Sequence, residues 1–232
     1  MVTVLANEDL RTAFGPALRE NEPLARYTSA RIGGPADYLV AAENAQALAA
    51  HLQTAWRLGI KPFILGGGSN ILVSDAGVRG LVIVNRARSV EFRESADGVS
   101  VWAESGANFG NLARHCVQRG LSGLEWAATV PGTLGGAVFG NAGAHGGDVA
   151  SRLTVAEILQ HDGVVRAWTN AELGFGYRTS TLKKQKAAGQ INAVLAAELA
   201  LARGAADALQ KKVDEFAAHR RRTQPPGASM GS

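Results

Sequence analysis

Between Val130 and Gly147 the chain reads Val-Pro-Gly-Thr-Leu-Gly-Gly-Ala-Val-Phe-Gly-Asn-Ala-Gly-Ala-His-Gly-Gly, with seven glycines in eighteen residues. Val130, Leu134, Ala137, Val138 and Phe139 stand between the glycines, so a core can anchor the stretch as it could not anchor a linker. Glycine lets main chain approach a ligand with no Cβ in the way, and it accepts φ > 0. Successive free N–H groups in such turns form concave anion sites. A second cluster, Leu65-Gly-Gly-Gly-Ser-Asn-Ile-Leu72, lies upstream. Two anchored glycine-rich turns point to a large phosphate-bearing ligand gripped mostly by main chain.

The upstream cluster follows an apolar run but is neither of the common nucleotide loops. It lacks the Gly-Lys-Ser/Thr ending of a Walker loop, and its glycine spacing is not that of a Rossmann fingerprint. A strand, Ile71–Val73, is expected after it rather than a helix. The donors would then be bare N–H groups with the Ser69 hydroxyl and the Asn70 amide. Taken alone, the cluster is equally well read as a tight β-turn that needs glycine. Further on, Tyr177-Arg-Thr-Ser180 places Arg178 beside Phe175 and Tyr177, with Lys183, Lys184 and Lys186 following. An arginine fork suits a carboxylate or phosphate, and a surface loop explains the same residues as well. His145 reads as a hydrogen-bonding turn residue. No His/Asp/Glu grouping has metal spacing, and no Ser-His-Asp arrangement is legible.

The elements that must position these residues follow from periodicity. Residues 6–20 read as a helix, Tyr38–Ala41 as a strand, and Ala45–Leu58 as a helix stopping at Gly59. Phe63–Leu65, Ile71–Val73 and Gly80–Val84 read as short strands, so the first third is β-α-β-β in character. Ser89–Glu94 and Val99–Glu104 alternate apolar and polar residues around Ala96-Asp-Gly98, a hairpin pattern. A helix over Asn108–Arg119 comes next. Leu153–Gln160 and Val164–Thr169 flank His161-Asp-Gly163 as a second hairpin. Ala193–Ala202 is expected to be a strand, and Ala205–His219 a helix. The fold class is α+β, with two subdomains at 1–85 and 86–221 and the start of a further domain at 222–232.

Composition sets the bounds. The 232 residues are 46% hydrophobic and 19% charged, with a net charge of +4, which suits a folded globule rather than a disordered or coiled-coil chain. A basic balance favours anionic ligands without diagnosing nucleic acid. Arg220-Arg-Arg222 reads as a solvated run or one that caps helix carbonyls. The single cysteine, Cys116, excludes an intrachain disulfide and reads as a buried structural thiol. Neither a signal peptide nor a membrane span is legible, so a reducing cytoplasm is the expected location.

Five segments together resemble one known family. Thr28-Ser-Ala-Arg-Ile-Gly-Gly-Pro-Ala36, Phe63–Val73, Gly123–Ala137, Gly140-Asn-Ala-Gly-Ala144 and Phe175-Gly-Tyr-Arg178 are similar, in this order, to the UDP-N-acetylenolpyruvoylglucosamine reductases of peptidoglycan synthesis. The resemblance implies a two-subdomain FAD-binding fold similar to that of the vanillyl-alcohol-oxidase flavoproteins. It also implies NADPH as co-substrate and a UDP-sugar enolpyruvyl ether as substrate, acted on by a monomer with no nucleic-acid or membrane partner. FAD would be lined by Gly66, Gly67, Gly68, Ser69, Asn70, Ile71 and Leu72, and by Thr129, Pro131, Gly132, Gly135, Gly136, Asn141, Gly143 and Ala144. Tyr177 and Arg178 would bind substrate, with Arg178 and Ser232 catalytic: Arg178 as the cation for a developing enolate, Ser232 as the proton donor. The family's Phe-Lys-Asn-Pro stretch, most of its substrate-binding domain and its C-terminal glutamate have no counterpart here, so a third domain is expected to be largely absent. Two other readings stay open: another FAD-dependent oxidoreductase of the same fold, with His145 as a covalent flavin anchor, and a flavin-binding fragment without full activity.

Overall fold

The computed structural model describes residues 5–96 and 98–224. Between Ala87 and Arg88 the chain divides into two compact units, each with its own sheet.

The first unit runs α1 (Leu5–Phe14), β1 (Arg19–Pro23), β2 (Pro35–Ala42), α2 (Ala45–Arg57), β3 (Phe63–Leu65) and β4 (Val78–Asn85). Its sheet has the order β1-β2-β4-β3, with β1 antiparallel to β2 and the other neighbours parallel. Leu81 to Asn85 are all buried, as a central parallel strand covered on both faces requires. Helix α2 starts where the Asn44 side chain accepts from Ala47 N at 2.8 Å, and it buries Leu48, Leu52 and Ala55.

Two sequence expectations are corrected in this unit, and one strand was missed. The helix expected over 6–20 ends at Phe14, because Gly15 takes φ +53 and Pro16 follows. Strand β1 was not legible: Arg-Glu-Asn-Glu-Pro on a sheet edge carries no apolar alternation. Ile71–Val73 is not a strand. The segment belongs to the β3–β4 crossover, and its continuation is tied elsewhere, Ser74 O accepting from Gly34 N at 2.9 Å and from Gly77 N at 2.8 Å.

The second unit runs β5 (Val90–Ser95), β6 (Gly98–Glu104), α3 (Phe109–Gln118), β7 (Leu121–Ser122), α4 (Leu134–Gly140), β8 (Gly143–Ala144), β9 (Gly147–Asp148), β10 (Leu153–Leu159), β11 (Val165–Thr169), α5 (Asn170–Leu173), α6 (Thr181–Ala187), β12 (Ala193–Arg203) and α7 (Ala206–Thr223). Its main sheet is antiparallel, in the order β11-β10-β12-β6-β5, with β7 pairing the end of β12. Both expected hairpins are present. Strand β12 is central and alanine-rich, and α4 packs on it. Cys116 is buried on α3 among Phe109, Leu112 and Val117, and burial pushes its thiol up to about 12.

The glycine-rich stretch holds a helix that its glycine count conceals. Leu134, Ala137 and Val138 lie at i, i+3 and i+4, so one face is apolar and buried while three glycines and the half-buried Phe139 make up the rest. Helix α7 extends to Thr223, which puts Arg220–Arg222 in its last turn.

Candidate functional site

The second unit builds its site from the 310 turn Glu125–Thr129 onward. The Glu125 carboxylate accepts from Gly123 N at 2.7 Å and from Ser122 Oγ at 2.9 Å, with Lys212 Nζ at 4.0 Å. Burial works to raise this carboxyl, but the N–H groups of Glu125 and Gly123, the Ser122 hydroxyl and Lys212 together hold it below the ordinary carboxylate range. The guanidinium of Arg114 donates to Ala128 O, and Arg220 Nη1 donates to Thr129 O at 2.9 Å. Arg220 thus reaches a carbonyl of this distant turn, a role that its place at the end of α7 did not suggest. The glycine segment therefore leaves a turn whose last two carbonyls are both taken by arginines.

From there the main chain is pinned residue by residue. Gly132, at φ +107, accepts from Phe109 N at 3.0 Å. Leu134 N donates to Ala107 O at 2.9 Å, and Gly135 N to Ser105 O at 2.7 Å. A Cβ on Gly135 would lie 2.8 Å from Ser105 Cβ. Here the space that the sequence assigned to ligand is filled by the protein itself. Gly136 differs: a Cβ there would meet only Thr133 Oγ1, at 3.7 Å.

Asn141 ends α4 in the left-handed conformation. Its side chain, expected to face cofactor, is spent within the protein. Nδ2 donates to Gly176 O at 3.0 Å and lies 3.3 Å from Asp148 Oδ2, while Oδ1 accepts from Ala150 N at 3.0 Å. The chain then turns back through β8 and β9. His145 and Gly146 both have positive φ, +52 and +81, the dihedral signs of a two-residue type I′ hairpin. A Cβ on Gly147 would fall 2.4 Å from the Trp126 ring, so the backbone of Gly147 packs directly against that indole.

Asn141, Gly143, Ala144, His145, Asp148, Tyr177 and Arg178 surround a cavity of about 300 Å³. Arg178 Nη2 donates to Gly143 O at 2.7 Å, Nη1 reaches Asn141 O at 3.5 Å, and the guanidinium lies 5.5 Å from the centre of the Tyr177 ring. Tyr177 is 91% exposed. Thus Asn141, Gly143, Ala144, Tyr177 and Arg178 come together, whereas Thr129, Pro131, Gly132, Gly135 and Gly136 lie along the segment upstream of the cavity. His145 stacks on Phe216 with ring centres 4.2 Å apart and an 11° tilt, and His219 stands edge-on at 5.7 Å. Burial, then the charges of His219 and Arg220, hold the His145 imidazole below its ordinary value.

The first unit presents Gly66–Leu72 as a loop after β3. Gly68, at φ +60, accepts from Ser29 N at 3.0 Å, and a Cβ there would stand 2.0 Å from Tyr27 O. Its missing side chain lets the Thr28–Gly34 turn close on the loop. Ser69 is buried, Ile71 half-buried, and Gly67, Asn70 and Leu72 exposed. Ser232 lies outside the described residues.

Sequence reasoning did not single out Ser105, Asp148, Trp126 or Phe216. Ser105 and Trp126 pack against Gly135 and Gly147, and Phe216 stacks on His145, from distant parts of the chain, whereas Asp148 follows Gly147 directly and meets the Asn141 amide. Among the described residues there is no group of three or more His, Cys, Asp or Glu that could hold a metal ion.

Residues 36–168 match the model of an FAD binding domain family. A UDP-N-acetylenolpyruvoylglucosamine reductase of Chloroflexus aggregans is 40% identical over 217 residues, covering 93% of this chain and 72% of that protein. The enzyme of the same name from Rubrobacter xylanophilus is 41% identical over 219 residues, 94% of this chain and 71% of its own length. The crystal structure of that reductase from Thermus caldophilus superposes with a TM-score of 0.74 at 30% identity, covering 92% of this chain and 72% of the other. A VAO-type flavoprotein from Myceliophthora thermophila shares the fold, with a TM-score of 0.60 at 14% identity over 88% of this chain and 48% of its own.

Proposed function

The chain belongs to the UDP-N-acetylenolpyruvoylglucosamine reductase family, and from that premise we propose that the Arg178 cavity is where the enolpyruvyl carboxylate is held during reduction. The protein is an FAD-dependent oxidoreductase that uses NADPH and serves peptidoglycan synthesis, reducing UDP-N-acetylglucosamine enolpyruvate to UDP-N-acetylmuramate. The observation that carries the reading is the Arg178 guanidinium at the cavity, whose hydrogen bonds among the described residues go to the neutral carbonyl oxygens of Gly143 and Asn141.

The main chain fits the cofactor. FAD carries a pyrophosphate, which N–H groups recognise when no side chain stands in front. Gly132 and Gly136 supply such a surface, a Gly136 Cβ meeting nothing tighter than Thr133 Oγ1 at 3.7 Å. Gly135 supports it from behind through Ser105. Thr129, Pro131, Asn141, Gly143 and Ala144 set the course of the same strip, and Gly66–Leu72 offers its own main-chain and polar groups in the first unit. Bound FAD supplies the relay that carries a hydride from NADPH to C3 of the enolpyruvyl group.

Hydride at C3 leaves negative charge at C2, delocalised into the carboxylate. Arg178 meets that charge with two parallel donors, a geometry a lysine cannot copy. A carboxylate displaces the neutral carbonyls from the fork because charge-assisted bonds are about twice as strong as neutral ones. Tyr177 covers the guanidinium plane. Proton delivery to C2 is assigned to Ser232 through the family resemblance.

The partner in this reading is a small UDP-sugar, met by a monomer in the cytoplasm, with no nucleic acid or membrane involved. Among the described residues no helix is long and apolar enough to cross a membrane.

The test is stopped-flow absorbance of the flavin, with NADPH first and the enolpyruvyl substrate second. Arg178→Lys is expected to keep FAD and accept reducing equivalents within about threefold of wild type. Substrate reduction should fall roughly 10²–10³-fold, the scale of one lost oxyanion donor. Equal loss in both half-reactions would remove Arg178 from this role.

A further inference from the structure

Arg178 sits at φ +54, in the left-handed region that a residue with a Cβ enters only at a cost. It lies inside the tight turn Gly176–Thr179, closed by Gly176 N donating to Thr179 O at 3.1 Å and Thr179 N to Gly176 O at 3.2 Å. Three side chains hold this turn from outside. Asn141 Nδ2 binds Gly176 O at 3.0 Å. Ser180, fully buried, donates to Phe139 O at 2.6 Å and accepts from Lys183 N as the cap of α6. Lys183 Nζ donates to the carbonyl of Arg178 itself at 2.8 Å. Of the three, only Lys183 touches the strained residue. It does so at the group whose direction is set by the Arg178 backbone.

We propose that Lys183 is a positioning residue for Arg178: its ammonium, bonded to the Arg178 carbonyl, keeps this backbone left-handed and so aims the guanidinium across the cavity at Gly143 and Asn141. Without that bond the Arg178 residue is free to relax toward the right-handed or extended regions. Either change swings the side chain off the cavity while the cap of α6, made by Ser180, stays in place. The role in catalysis rests on the function proposed above; the role in holding the turn does not.

The experiment compares Lys183→Met, Lys183→Arg and Lys183→Gln in the FAD-loaded chain. The first readout is amide exchange. In Lys183→Met the Thr179 amide is expected to exchange about 10-fold faster, the scale of one lost hydrogen bond, with β10 and β12 unchanged. Lys183→Arg, which keeps a charged donor, should restore slow exchange, and Lys183→Gln, a shorter neutral donor, should fall between. The second readout is the Kd for the enolpyruvyl substrate, followed through the flavin absorbance. It should rise about 10-fold in Lys183→Met and recover in Lys183→Arg. Unchanged Thr179 exchange in both Lys183→Met and Lys183→Gln overturns the proposal, as does a Kd that rises without any change in exchange. If Arg178→Lys itself leaves substrate binding untouched, the functional reading fails instead, and the exchange data still decide whether Lys183 holds the turn.

Discussion

The two glycine clusters have similar sequences and use their glycines differently. In the first unit, Gly68 is required because Tyr27 O occupies the place of its Cβ; the glycine closes one loop on another. In the second, Gly135 and Gly147 play that same part against Ser105 and Trp126. Yet Gly140 and Gly146 face open space, and Gly136 meets only Thr133 Oγ1 at 3.7 Å, within the same eighteen residues. A glycine cluster thus combines positions that the fold demands with positions that the fold leaves vacant. Only the vacant ones are free to be explained by a ligand, and the second cluster holds Gly140 and Gly146 among them.

The largest expected effect falls on the demanded positions. Gly68→Ala puts a Cβ 2.0 Å from a backbone oxygen and forces alanine to φ +60. Gly147→Ala drives a methyl into the Trp126 ring, at 2.4 Å. Overpacking costs about 1–3 kcal/mol in Gly147→Ala, and about 1–2 kcal/mol more for the left-handed backbone brings Gly68→Ala to about 2–5 kcal/mol of destabilisation. Thermal unfolding without added FAD checks this. Full stability in either variant would return that glycine to the vacant class.

The sequence showed where these clusters lie but not which glycine does which job. Helices α2, α3 and α7 and both hairpins were legible because each repeats its apolar residues at a fixed period or brackets a turn. Strand β1 was invisible, since its edge position leaves Arg19–Glu22 nearly all exposed. Helix α4 was hidden by glycine content, although Leu134, Ala137 and Val138 already had helical spacing. At the site, residue type drew attention to Arg178 and to the 141–147 turn. The partners that decide their geometry, Ser105, Trp126 and Phe216, come from distant parts of the chain and carry no local signal. The Asn141 amide shows the limit most plainly: a polar side chain beside glycines reads as a ligand contact, and here it braces the Gly176 turn.

The next effect separates neighbours. Gly135→Ala meets Ser105 Cβ at 2.8 Å and should cost about 1–3 kcal/mol. Gly136→Ala meets nothing closer than 3.7 Å and lies inside α4, where alanine is favoured over glycine by about 0.5–1 kcal/mol. The FAD-free Gly136→Ala chain should therefore melt at or above wild type. If the vacant space belongs to FAD, the same variant should bind it at least about 10-fold more weakly, a loss of roughly 1.4 kcal/mol. Fluorescence quenching during FAD titration supplies the number. A variant both more stable and undiminished in FAD affinity would show that vacancy at Gly136 has no ligand meaning.

The smallest effect is a pH dependence that only the second cluster should show. His145 is held below its ordinary value by burial against Phe216 and by the charges of His219 and Arg220. As pH falls through about 6.5, the unfolded chain takes up this proton before the folded chain does. Stability from the neutral, stacked imidazole is thus fully present above about pH 7 and is lost as the solution becomes more acidic. The residue is exposed overall, so solvent screening leaves a small effect. Between about pH 7.5 and about pH 5.5, wild type should lose roughly 1 °C more in Tm than His145→Asn, a substitution that tolerates positive φ. Amide exchange sharpens the contrast: acidification should quicken exchange at Gly146 and Gly147 relative to His145→Asn, while Gly66–Leu72, which contains no histidine, should exchange alike in both proteins. Equal pH responses of the two clusters would mean that the His145–Phe216 stack does not stabilise the second.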